Sequence, residues 1–207
     1  MTVSLIHADD HLVVIDKPAG MLSVPGRGDD KQDCAWRRVC ESFPDALIVH
    51  RIDMATSGLL VLARGPAAQR RLSLAFARRE VRKRYVAVVH GFITPWAGKI
   101  DLPLIADWPE RPKQKVDLAA GKPSLTRYLC VGHDVAGHTS RVELEPVTGR
   151  SHQLRVHLLA LGHAIVGDRL YGASDDMAPR LMLHACDLAF PHPHDGRLLV
   201  LHSATPF

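Results

Sequence analysis

The sequence is poor in the features that mark several large classes of protein. Its 207 residues hold four cysteines, Cys34, Cys40, Cys130 and Cys186, and no two have C-x-x-C spacing. That spacing marks zinc knuckles and dithiol redox sites, so neither is indicated, and the four read as free thiols in a reducing compartment. No apolar run approaches the roughly 20 residues of a membrane helix. The opening MTVSLIHADDHLVVIDKPAG has no basic start followed by an apolar stretch, so it does not read as an export signal. A cytoplasmic location without membrane association is therefore expected. There is no G-x-G-x-x-G, no P-loop and no G-x-S-x-G elbow. GKPS at 121–124 lacks the upstream glycine and the Lys-Ser/Thr pair that a P-loop needs. No cofactor is indicated.

What is present describes a folded domain with a basic bias. Hydrophobic residues make up 46% of the chain, enough for a real core in one domain of this length. The net charge of +4 permits a polyanionic partner without requiring one. Placement says more than the total. Arg64, Arg70, Arg71, Arg78, Arg79, Arg82, Lys83 and Arg84 fall in one short stretch whose only acid is Glu80. A solvated helix face is the ordinary explanation of such a run, but here few acids are available to pair with it.

Hydrophobic periodicity gives the elements. HLVVIDKP (11–18), SGLLVLAR (57–64) and RKRYVAVVHG (82–91) read as strands, and 20–33, rich in Gly, Pro and Asp, as an exposed loop. Residues 34–42 suit a short helix. Residues 66–79 carry Leu72, Ala75 and Phe76 at helical spacing. The stretch 98–124 reads as hairpins or loops, and 124–133 with 138–147 as a hairpin. Residues 151–162 read as a helix with Ser151 as N-cap, Gly162 as stop, and Leu154, Leu158 and Leu161 as its apolar stripe. Residues 180–190 and 196–203 read as closing strands. Strands outnumber helices and are often joined by short turns. The fold class is therefore α+β, a mixed and largely antiparallel sheet with flanking helices.

Three groups of residues could carry chemistry. His50, Arg51 and Asp53 share a polar turn before a buried-looking strand, and Arg51 and Asp53 project to one side if the segment is extended. An Asp in that place is usually a turn residue. Arg150 and Arg155 bracket a helix N-terminus, where unpaired N–H groups favour anions. Arg155 lies near the apolar stripe, so it needs an acidic partner, and an ion pair with a structural acid would satisfy it. Tyr85, flanked by Arg82 and Arg84, suits strand packing or stacking on a nucleobase. Thirteen histidines invite a metal. His152 and His157, however, are five apart and point roughly 140° from one another on a helix, so they cannot share an ion. His192 and His194 have no third ligand nearby in sequence, and no metal is indicated.

Taken in order, these segments resemble the RluA family of pseudouridine synthases. HRIDMATSG (50–58) is similar to the family motif H-R-L-D…TSG, with Ile52 for leucine and Ala55 for the common acid. GRSHQLRVH (149–157) is similar to G-R-T-H-Q-I/L-R-x-H, and GHAIVGDRLYG (162–172) follows with Ala164 for the common proline. DKPAGMLSVPG, KRYVAVVHG and RLMLHACDL also look like family segments. Ala55 and Ser151 match the short branch that lacks an N-terminal S4 domain and acts on large-subunit ribosomal RNA and the tRNA anticodon loop. The resemblance implies a single catalytic domain over 1–207 with a central catalytic cleft, working without cofactor or metal on rRNA, tRNA or both. A monomer is expected, because no exposed amphipathic heptad or spare apolar segment suggests a partner.

The resemblance also implies roles. Asp53 is the catalytic aspartate, and Tyr85 stacks on the target base and serves in proton transfer. Arg155 pairs with Asp53. Arg51 enters the RNA where the uridine has left, and Leu183 forms an apolar wall. Arg78, Arg79, Arg82, Lys83 and Arg84 hold phosphates, and His50, Arg150 and His152 are expected to touch the RNA. Two other classes compete. A non-catalytic RNA-binding protein on the same scaffold could dispense with Asp53, and a metal-dependent hydrolase would hold stoichiometric metal.

Overall fold

The computed structural model describes residues 2–172 and 178–207. The elements run β1 (Ser4–Ala8), β2 (Leu12–Lys17), α1 (Ala35–Cys40), β3 (Ala46–Ile48), β4 (Ser57–Arg64), α2 (Gly65–Ala77), β5 (Arg82–His90) and β6 (Ala97–Asp101). They continue β7 (Leu104–Ala106), β8 (Gln114–Val116), β9 (Leu125–Asp134), β10 (Thr139–Pro146), α3 (Gln153–Ala160), β11 (Leu183–Pro191) and β12 (Leu198–His202). The class is α+β and the strand pairing mostly antiparallel, as the sequence suggests. The chain forms two compact units: the stretch up to Lys83 with His184–Pro206, and Arg84–Leu183 with Phe207. Among the described residues no helix is long and apolar enough to cross a membrane.

The first unit is built on β2 and β4, which pair antiparallel from Leu12↔Ala63 to Lys17↔Gly58. Successive residues of a strand face opposite ways. Leu12, Val14, Leu59, Val61 and Ala63 pack with Leu72 and Ala75 of α2. Val13, Ile15, Leu60 and Leu62 pack with Ala35 and Val39 of α1. Both faces are covered, which is why LVVI and GLLVLA are unbroken apolar runs. The start of β4 pairs parallel with β11, His184↔Ser57 and Ala185↔Gly58. The backbones meet so closely there that a Cβ on Gly58 would stand 2.3 Å from the Ala185 carbonyl oxygen, and Gly58 takes φ 113°. The glycine of the TSG segment is a fitted part of this junction.

The second unit is one-sided. β9 pairs with β10 and with β6, and β10 with β5, all antiparallel. Along β9 burial alternates, with Thr126, Tyr128 and Cys130 inside and Arg127, Leu129 and Val131 outside. β7 and β8 form a separate hairpin. The 98–124 stretch is thus two short pieces of sheet.

α3 departs from the expected details. It starts at Gln153, and His152, at φ 53°, occupies the N-cap position without a side-chain cap. Ser151 is not the cap. The start is held by the buried Gln153 side chain. Its oxygen accepts from Thr148 Oγ1 at 2.6 Å and the Arg150 N–H at 3.0 Å. Its amide donates to the Leu125 carbonyl and Thr126 Oγ1, each at 3.0 Å. Four bonds to one side chain outweigh what one serine hydroxyl offers. At the other end Gly162 N–H donates to Leu159 O at 2.8 Å and His163 N–H to Leu158 O at 3.0 Å. This double closure uses Gly162 at φ 84° as the stop the sequence indicates. Leu161 lies outside the expected stripe and is exposed, while Gln153 through Leu158 are all buried.

Candidate active site

In the first unit Asp53 heads a turn closed by the Thr56 N–H donating to its carbonyl at 3.1 Å. Both neighbours are tied to the DKPAGMLS loop. Ser23 Oγ donates to Ile52 O at 2.6 Å and accepts from Ile52 N–H at 3.2 Å. Gly20 N–H donates to Met54 O at 2.8 Å. Lys17, with 0% of its surface exposed, donates from Nζ to the carbonyls of Pro18 at 2.9 Å, Met21 at 2.8 Å and Met54 at 3.2 Å. A buried ammonium must find such partners. Here it clamps the loop to the turn, and the half-buried Asp53 is presented from a fixed backbone.

His50 is fastened differently. Val61 N–H donates to its Nε2 at 3.0 Å, and its ring stacks on Phe76 with centroids 4.5 Å apart. Burial, then the nearby Lys83, push its pKa down to about 3. The ring is therefore neutral near pH 7, with the proton on Nδ1, and carries no charge toward phosphate. Burial, then Arg79, also lower the pKa of the half-buried Lys83 ammonium. Arg51, Arg78, Arg79 and Arg82 are exposed, and among the described residues Arg78, Arg79 and Arg82 form no ion pair. Arg64 and Arg71 differ. Arg64 Nε pairs with Asp45 at 3.1 Å and its Nη1 donates to Asp9 O, while Arg71 donates to the carbonyls of Pro193 and His194. The basic run thus divides into structural members and a solvent-facing group centred on 78–82.

Behind the turn runs a polar chain. Ser57 Oγ and His184 Nδ1 are 2.7 Å apart, His184 Nε2 and Ser203 Oγ 3.1 Å, and Ser203 Oγ donates to Asp16 Oδ2 at 2.7 Å. Because the Ser203 proton goes to Asp16, Ser203 accepts from His184 Nε2–H, and Nδ1 accepts from Ser57. The chain joins β2, β4 and β11 with the residue that follows β12, directly beyond the Asp53 turn.

In the second unit Arg155, 4% exposed, donates from Nε to Asp168 Oδ2 at 2.7 Å and from Nη2 to Oδ1 at 2.6 Å. This is the structural acid that the helix position demands. Asp168 also accepts from Leu170 N–H at 3.0 Å and Tyr171 N–H at 3.1 Å, so the pair orders the GDRLYG turn. The Tyr171 ring lies 4.9 Å from Arg155 Cζ. Its Oη accepts from Gln114 N–H at 2.7 Å and lies 2.7 Å from His152 Nδ1. Arg150 is exposed, with Nε donating to Pro123 O at 3.4 Å. Tyr85 is half-buried on β5 opposite Leu144. Leu183, buried, begins β11. His157 is a structural residue: Nδ1 lies 2.9 Å from Thr126 Oγ1 and Nε2 3.0 Å from Leu102 O, and burial lowers its pKa.

The structure therefore gathers His50, Arg51 and Asp53 in one turn, and Arg155 and His152 around Tyr171. Sequence reasoning missed Lys17, Ser23, Asp168 and Tyr171. All four lie in segments that carry the family resemblance, and a lysine at the end of an apolar strand was a readable sign.

The chain is similar to known proteins. The model of the RNA pseudouridylate synthase family matches residues 11–160. The dual-specificity RNA pseudouridine synthase RluA of Escherichia coli (strain K12) is 50% identical over 205 residues, covering 98% of this chain and 93% of its own. The enzyme of that name from Yersinia pestis is 50% identical over 194 residues, covering 93% and 94%. Among solved structures, human RNA pseudouridylate synthase domain containing 1 superposes with a TM-score of 0.84 at 31% identity, covering all of this chain and 84% of its own.

Proposed function

The chain belongs to the RNA pseudouridylate synthase family, and we propose that Asp53 is the carboxylate with which it isomerises uridines in large-subunit ribosomal RNA and in a tRNA anticodon stem-loop. The enzyme is an isomerase acting on RNA, and the two substrates follow the dual specificity named for its relatives. The reaction breaks the N1–C1′ bond and forms a C5–C1′ bond. The proton on C5 leaves and N1 gains one, so nothing is oxidised and no group is lost. A carboxylate can serve by attacking C1′ or by acting as base on the sugar. The observation that carries the assignment is the clamp on Asp53. The backbone before and after it is fixed by Ser23, Gly20 and Lys17, so its carboxylate meets the substrate without reorganising.

The other roles rest on the resemblance. Tyr85 stacks on the flipped uracil and serves in proton transfer, Leu183 walls the base, and Arg51 fills the gap the uridine leaves. Arg155 partners Asp53 in the reaction complex. Arg78, Arg79, Arg82, Lys83 and Arg84 hold phosphates, with Arg150 and His152 beside them. His50 serves RNA binding by setting the turn that carries Arg51. A single catalytic domain over 1–207 is the reading that the resemblance supports. A cytoplasmic monomer is the working state, and light scattering tests it.

The test is tritium release from a tRNA anticodon stem-loop, and then from ribosomal RNA, labelled at C5 of uridine. Asp53→Asn is expected to lose about 10³-fold or more in rate with unchanged thermal unfolding. Normal release by that variant would remove Asp53 from the mechanism.

A further inference from the structure

The β7–β8 hairpin belongs to the second unit and has no part in the roles above. Its tip is tightly closed: Asp107 N–H donates to Lys113 O at 2.9 Å, Glu110 N–H to Asp107 O at 3.1 Å, and Lys113 N–H to Glu110 O at 2.9 Å. On this rigid tip Trp108 is 68% exposed. Arg111 lies over it with Cζ 4.0 Å from the ring centroid, its Nε donating to Trp108 O at 3.2 Å. An indole held in solvent with a guanidinium on one face is a stacking platform for a second flat group.

Beneath the tip, between the hairpin and α3, lies a groove of about 450 Å³. Lys113, Lys115 and Asp107 line it together with Val116, Leu159, Leu170 and Tyr171. Lys115 pairs with Asp107 at 3.3 Å and Lys113 with Glu110 at 3.6 Å. The Lys113–Glu110 pair is exposed and hence weak, and the Lys115 ammonium is exposed beside the partly covered Asp107, so each lysine can turn toward a phosphate. Two exchangeable lysines beside an apolar and aromatic lining suit a nucleotide better than a peptide or a lipid: the base takes the apolar lining or the indole, and the phosphate takes an ammonium. The groove is also wired to the candidate site. Gln114 N–H, on the hairpin, donates to Tyr171 Oη, which lies within hydrogen-bond distance of His152, and the same ring packs against Arg155.

We propose that the hairpin and groove form a second RNA subsite, which takes an unpaired nucleotide of the substrate outside the target uridine. The base stacks on the open face of Trp108, and the backbone crosses Lys113 and Lys115. This rests on the RNA-modifying reading above and extends it to substrate selection.

The test is steady-state kinetics on the tritium-labelled anticodon stem-loop and on a labelled ribosomal RNA fragment. For Trp108→Ala combined with Lys113→Ala and Lys115→Ala, KM is expected to rise about tenfold or more on at least one RNA, with kcat within about twofold. The salt dependence of binding should flatten by roughly 0.7 for each phosphate that the variant no longer neutralises. Trp108→Tyr combined with Lys113→Arg and Lys115→Arg should restore KM. An unchanged KM and salt slope on both RNAs would overturn the proposal. So would a fall in kcat at constant KM, which would mean that the groove acts only through Tyr171 on the site. Absence of turnover by the unsubstituted protein on both RNAs would sink the RNA-modifying reading itself, and that result is visible before any substitution is made.

Discussion

The two units hold their working residues by opposite means. In the first, a doubly covered apolar sheet carries the Asp53 turn, and neutral or singly charged groups pin it: Ser23, Lys17 and the chain from Ser57 to Asp16. In the second, α3 carries Arg155 beside a one-sided sheet, and a buried ion pair fixes it. Apolar packing tolerates small errors by relaxing, whereas a buried charge cannot lose its partner without penalty. The contrast teaches where substitutions should hurt most, and four measurements sharpen it.

The largest effect is expected at Asp168. Asp168→Ala removes the bidentate acceptor of the buried Arg155 guanidinium and the acceptor of two backbone N–H groups. It should cost about 3–5 kcal/mol in urea unfolding. Pairing it with Arg155→Met should recover much of that stability while leaving the enzyme inactive. If the double variant is no more stable than Asp168→Ala, the cost lies in the turn and not in the broken ion pair, and the contrast between the units weakens.

Next comes His184, 1% exposed, at the middle of the polar chain of the first unit. His184→Leu removes one hydrogen-bond partner each from the buried Ser57 and Ser203 and should cost about 2–3 kcal/mol. The two polar replacements separate the arms. Asparagine places an oxygen where Nδ1 accepts from Ser57, and glutamine places an amide where Nε2 donates to Ser203. If the chain serves the Asp53 turn through Ser57, asparagine should retain more turnover than glutamine at equal stability. Equal turnover by both would assign the chain to stability alone.

How much of this was legible depends on the range of the forces involved. β2, β4, β5, β9 and β10 were readable because burial imposes a local period. β1 was not, since Ser4–Ala8 is an exposed edge with little alternation, and β3 is three residues long. The Ser151 cap failed because the competing donor set came from Gln153, whose partners Leu125 and Thr126 lie 28 and 27 residues away. Asp53 and Arg155 were legible through family motifs, but their supports were not. Ser57 meets His184 across 127 residues and Ser203 meets Asp16 across 187, separations at which no local pattern exists. Asp168 was hidden because nothing local marks it as the partner of Arg155, 13 residues earlier.

The third measurement concerns pH. His50 is neutral in the folded protein, its pKa lowered from 6.5 to about 3 by burial and then by Lys83. The unfolded chain binds the proton first, so stability is complete above about pH 6.5 and declines as pH falls toward 3. The ring is partly exposed and so partly screened, and about 1 kcal/mol should be lost by pH 4.5. His50→Gln, which keeps an acceptor for the Val61 N–H, should lose less between pH 7 and 4.5 in paired urea titrations. An equal loss would place the acid sensitivity elsewhere.

The smallest effect is the most diagnostic, because stability and function should move in opposite directions. Arg79 sits at φ 60° just past α2, with its N–H on Phe76 O at 3.2 Å and the Glu80 N–H on Ala75 O at 2.9 Å. This is the closure Gly162 makes after α3, built here with arginine. The left-handed conformation costs a residue with a side chain about 1–2 kcal/mol, and glycine loses about 0.5–1 kcal/mol of that advantage to its freer unfolded state. Arg79→Gly should therefore raise stability by about 0.5–1 kcal/mol. If the exposed guanidinium meets a phosphate, the same variant should bind RNA more weakly, with a salt slope flatter by roughly 0.7. A variant that is both more stable and unimpaired in binding would show that the strain at Arg79 serves nothing in the RNA complex. Phosphate binding would then narrow to Arg78, Arg82, Lys83 and Arg84.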